Sequence, residues 1–60
     1  MNIRHELQEQ HGLTIVRVLS ETSDSYTVKV LDIGDIYRTI TVYLVEDPES
    51  GELFLELDEH

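Results

Sequence analysis

Residues 52–58 (ELFLELD) place an apolar side chain at every second position. Leu53, Leu55 and Leu57 fall on one side; Glu52, Phe54, Glu56 and Asp58 fall on the other. A period of two belongs to a β-strand with one dry and one wet face, and a helix cannot segregate such a pattern. Residues 26–32 (YTVKVLD) repeat it, with Tyr26, Val28 and Val30 set against Thr27 and Lys29. Residues 36–45 (IYRTITVYLV) do the same, with Ile40, Val42 and Leu44 against Thr39, Thr41 and Tyr43. Residues 13–19 (LTIVRVL) are rich in β-branched side chains but break the rule, since Leu13, Ile15 and Leu19 oppose Val16 and Val18. That pattern predicts a strand covered on both faces, or one interrupted by a bulge.

Residues 2–11 read differently. Asn2 can cap a helix, Ile3 and Leu7 lie one turn apart, His11 suits the last turn, and Gly12 suits a left-handed stop. A helix this short is not stable alone, so Ile3 and Leu7 must dock on the strands. Turn-forming residues separate all the strand segments. The expected fold is therefore α+β: a short N-terminal helix packed on a four-stranded antiparallel β-meander, with a small β-barrel as the alternative.

Side-chain parity restricts the register, because a one-residue slip turns every side chain to the wrong face. A three-residue loop at Ile33-Gly34-Asp35, with Gly34 at positive φ, pairs Val28 with Ile40 and Tyr26 with Val42. For the last hairpin, a loop over residues 46–51 pairs Leu44 with Leu53, Val42 with Leu55 and Ile40 with Leu57. The same register sets Tyr43 opposite Phe54 on the outer face.

Sixty residues form one small domain, and with no Cys it has neither a disulfide nor a thiolate metal site to brace it. A formal net charge of -9 raises the question of disorder. The clustered Val, Ile, Thr and Leu argue for a folded chain of modest stability, to which oligomerisation could add. The same charge argues against direct binding to a phosphate backbone, so no direct nucleic-acid contact is expected. No apolar run is long enough for a membrane span, and no apolar leader is present, so a cytoplasmic protein is expected.

The charge is unevenly placed. Residues 1–38 hold six Asp+Glu and all four Lys+Arg, whereas residues 39–60 hold seven Asp+Glu and no Lys or Arg. Along residues 52–58, alternate carboxylates stand roughly 6.6 Å apart, close to the spacing of successive phosphates. Glu49, Glu52, Glu56, Asp58 and Glu59 would then form a ridge for a basic protein surface, with Tyr43 and Phe54 as anchors. The plainer reading of such a ridge is a solvated face that keeps a small protein in solution.

Other chemistry is poorly served. Asp47, Glu49, Ser50 and Glu52 could offer oxygens to Ca²⁺, but D-P-E-S-G-E lacks the order of a calcium loop. His5, His11 and His60 do not converge as zinc ligands. No context presents a serine nucleophile, and Gly12, Gly34 and Gly51 are dispersed rather than grouped as a phosphate cradle. No cofactor, metal or catalytic residue is expected.

The leading expectation is thus a non-enzymatic acidic protein that occupies a basic surface of a protein partner. Its sharpest form is a nucleic-acid-mimicking inhibitor of a nucleic-acid-binding protein. In size and charge the chain is similar in style to inhibitors encoded by phages and mobile elements, including anti-restriction and anti-CRISPR proteins. The alternatives are a homodimeric structural or regulatory module associating through Tyr37, Tyr43 and Phe54, and a β-domain whose acidic loop gathers cations.

Overall fold

The computed structural model describes residues 2–60. Helix α1 (Ile3–His11) precedes strands β1 (Thr14–Glu21), β2 (Ser25–Leu31), β3 (Tyr37–Glu46) and β4 (Leu53–Glu59). The strands form one antiparallel sheet in the order β1-β2-β3-β4, as expected of an α+β meander. β1 and β4 do not meet, so the sheet is open and the barrel alternative is excluded.

The helix begins where Asn2 Oδ1 accepts the His5 N–H at 3.3 Å. It ends at Gly12, whose φ of 66° lets the chain reverse; Leu13 N–H then reaches back to Leu7 O at 3.0 Å. Leu7 has no exposed surface and joins Ile15, Val28, Val30, Ile40 and Val42 in the buried core. Ile3, Leu13, Tyr26, Leu55 and Leu57 pack around them. Burying each such aliphatic side chain contributes about 1.5–3 kcal/mol, the main force holding α1 to the sheet.

The β2–β3 hairpin has the expected register, with Val28 opposite Ile40 and Tyr26 opposite Val42. Its turn is closed by Asp35 N–H to Asp32 O and Asp32 N–H to Ile36 O, each 3.0 Å. The positive φ falls on Asp35 (60°) rather than on Gly34. In a three-residue hairpin loop the left-handed residue is the last one, and Asp tolerates that conformation.

The β3–β4 register differs from expectation by two residues. Leu44 pairs with Leu55, Val42 with Leu57, Ile40 with Glu59, and Tyr43 faces Glu56 instead of Phe54. Asp47 opens the turn, not Glu46: its Oδ1 accepts Glu49 N–H and its carbonyl accepts Gly51 N–H. Gly51 closes the turn at φ 73°. A shift of two preserves parity, so Leu55 and Leu57 still face the core.

β1 resolves its ambiguous pattern with bulges. The register steps from Ile15↔Val30 to Arg17↔Lys29 and from Val18↔Val28 to Ser20↔Thr27, leaving Val16 and Leu19 as the extra residues. Each bulge resets the parity, so Ile15 and Val18 share the helix side while Arg17 and Ser20 share the other.

Candidate functional site

The face opposite α1 is built from the odd-numbered residues of β2 and β3 and the even-numbered residues of β4. Among the described residues no element covers it. Tyr37, Tyr43 and Phe54 lie on it, with Tyr43 40% and Phe54 46% exposed. Phe54 faces Val45, and Glu56 faces Tyr43, so the two aromatics are diagonal neighbours bordered by Glu56 and Asp58. Tyr37, Tyr43 and Phe54 therefore share one face as expected, and Leu31 and Val45 lie on it beside them.

A polar row crosses the centre of this face. Thr27 and Thr41 hydroxyls are 3.1 Å apart, and the Thr41 hydroxyl also meets His60 Nε2. Thr41 is buried although it lies on the uncovered side, because its neighbours close over it. Two hydrogen bonds serve the three donors of this row, so one O–H or ring N–H stays available to a docking surface.

The acidic ridge is only partly assembled. Glu56 and Asp58 project from the uncovered face as successive outward residues of β4. Glu49 and Glu52 belong to the β3–β4 loop at one end of that face, Glu52 lying just before the strand. Glu59 departs from the expectation: it shares parity with Leu55 and Leu57, points to the helix side, and pairs with Arg38.

Arg38 is held between two carboxylates. Its Nε donates to Asp32 Oδ2 at 2.7 Å and its Nη1 donates to Glu59. Asp32 also accepts the Gly34 and Ile36 N–H groups, at 2.8 and 3.1 Å. The hydrogen bond from Arg38, then that from Ile36, holds the Asp32 carboxyl below its ordinary value; Asp32 and then Glu59 raise the Arg38 guanidinium in turn. This triad ties the β2–β3 loop to the end of β4.

The sequence reading set Lys29 on this face but counted neither it nor Arg17 among the site residues. Arg17 and Lys29 are register partners there, and the Lys29 ammonium sits 5.0 Å from the Tyr37 ring centroid. The clue was available for Lys29, which alternates with Val28 and Val30. Arg17 could be placed only once the bulge at Val16 was known. The two bases and the two carboxylates occupy opposite margins, Arg17 and Lys29 on β1 and β2, Glu56 and Asp58 on β4.

On the other side, two open grooves flank the helix. One, of about 440 Å³, lies between Ile3, Arg4, Ile15, Val18 and Tyr26; there Arg4 Nη1 donates to Ile15 O. The second, of about 360 Å³, holds the Asp32–Arg38–Glu59 triad. Among the described residues no three His, Asp or Glu side chains converge as a metal site, and no helix is long and apolar enough to cross a membrane. No family model, curated protein or solved structure matches the chain.

Proposed function

We propose that this protein is a non-enzymatic acidic binding module that occupies a basic surface of a protein partner. One observation carries the reading: Tyr43 and Phe54 stand exposed beside Glu56 and Asp58 on a sheet face that no element covers among the described residues. Exposed aromatics supply anchoring area at low entropic cost, and the carboxylates supply sign selectivity and fast, salt-sensitive encounter. Glu49 and Glu52 extend the negative field from the adjoining loop, while Glu59, already paired with Arg38, acts less directly. In its sharpest form the partner binds nucleic acid and the module mimics that ligand's charge, in the manner of anti-restriction or anti-CRISPR inhibitors.

The test compares the protein with its Glu56→Lys/Asp58→Lys variant as immobilised bait for purified basic nucleic-acid-binding proteins, at low and high salt. The reading expects capture by the parent at low salt, displacement by duplex DNA, and loss in the variant with folding retained. Equal capture by both proteins would refute it.

A second reading is favoured by the opposed charges on the same face. Stacking two copies face to face about a two-fold axis parallel to the strands sets β1 of one over β4 of the other. Arg17 of one copy would then stand over the His60 end of the other copy's β4, one outward residue from Asp58. Sedimentation at micromolar concentration decides this, and a strict monomer excludes it.

A further inference from the structure

The two edges of the sheet are unequal. β1 is interrupted by its bulges at Val16 and Leu19, a common device for blunting an edge. β4 is regular from Leu53 to Glu59 and, among the described residues, pairs on one side only. Its hydrogen-bonding sense follows from two bonds at its ends. Asp47 N–H donates to Glu52 O at 2.8 Å, and His60 N–H donates to Thr39 O at 3.0 Å. In an antiparallel ladder such bonded pairs recur at every second residue, so Phe54, Glu56 and Asp58 direct their backbone groups to β3. The N–H and C=O of Leu53, Leu55, Leu57 and Glu59 therefore point outward, along the free edge.

We propose that this edge takes an extended basic segment of the partner as a fifth strand, an inference that rests on the acidic-module reading above and specifies its mode of recognition. Backbone groups of alternate β4 residues would supply the ladder, as in other strand-addition complexes. Side chains specify the incoming strand. On the uncovered face it meets Glu56 and Asp58, which favour Lys or Arg opposite them. On the helix side it meets Leu53, half exposed at the rim, then Leu55 and Leu57, which favour apolar residues. The fitting segment thus alternates basic and aliphatic residues.

The same carboxylates disfavour the β4 edge of a second copy. Antiparallel β4–β4 pairing centred on Glu56 sets Glu56 against itself. Centred on Leu57 it sets Glu56 against Asp58, and centred on Leu55 it sets Glu52 against Asp58. Like charges directly opposite one another destabilise a strand pair.

The experiment titrates the full chain with a labelled peptide, Val-Lys-Val-Lys-Val-Lys-Val-Lys-Val, followed by fluorescence anisotropy at low salt. Three controls carry identical charge: the isomer Val-Val-Lys-Lys-Val-Val-Lys-Lys-Val, and two analogues N-methylated at two Val or at two Lys amides. Strand addition expects binding by the alternating peptide and at least about tenfold weaker binding by the isomer. It also expects one methylated analogue to be blocked and the other spared, because alternate amides face the edge and the remainder face away. If all four peptides bind alike and lose affinity together as salt rises, strand addition is overturned while the acidic-module reading stands. Should none bind, both fail.

Discussion

Replacing Leu7 by alanine isolates the contact that keeps α1 on the sheet. Leu7 is the one helix residue with no exposed surface, and it inserts among Ile15, Val28, Val30, Ile40 and Val42. Truncating a buried leucine costs about 2–5 kcal/mol, through lost transfer energy and the cavity left behind. Alanine's better helix propensity returns only a few tenths of a kcal/mol. For a chain of 60 residues, total stability on the order of 3–9 kcal/mol is expected, so a loss of about 3 kcal/mol removes a third or more of it. With a urea slope near about 1 kcal/mol/M, the unfolding midpoint should fall by about 3 M. Far-ultraviolet circular dichroism and tyrosine fluorescence, followed together, provide the assay. Gln10→Ala, on the exposed side of the same helix, should move stability by no more than about 0.5 kcal/mol. A Leu7→Ala loss below about 1 kcal/mol, under half the usual minimum for a buried leucine, would refute the claim that the helix docks through this side chain.

Gly12 and Asp32 give two further tests. Gly12 has φ 66°, and a Cβ there would lie 2.9 Å from Ile33 Cγ2. Ile33 is 92% exposed and can turn aside, so Gly12→Ala should cost about 1–2 kcal/mol, chiefly from the left-handed backbone, and Gly12→Asn less, as read by chemical denaturation. The Asp32 carboxyl titrates below its ordinary value of 3.8 when folded. Its contribution is therefore complete above the unfolded value and lost as pH falls through the folded one. Melting temperatures from about pH 7 down to about pH 3 should show an acid-side decline that is shallower in Asp32→Asn, and parallel curves for the two proteins would contradict the triad's role.

What could be read in advance follows the strength of each local signal. Strict alternation exposed β2, β3 and β4 because one face of each strand must be dry. The β2–β3 register was legible because a short three-residue loop around Gly34 reconciles the parity of Val28 with that of Ile40, which a two-residue turn does not. Alternation alone could not place β4 along β3: a slide of two residues keeps every leucine inward, and the choice between Asp47 and Glu46 as first turn residue depends on side-chain capping. Glu59 was assigned to the acidic ridge by composition, although its parity with Leu57 already placed it on the helix side. The Arg38–Asp32–Glu59 triad joins residues far apart in sequence and emerges only when both hairpins are in register.

The meander order has a kinetic consequence. Each strand pairs only with its neighbours in the chain, so every ladder can close from a local turn without a long search. Hairpin zipping takes about 1–10 μs, so both the helix and each ladder can form locally before α1 docks through Leu7. Because β1, β2 and β3 precede β4 in the chain, their two ladders can close before the acidic β3–β4 hairpin joins them.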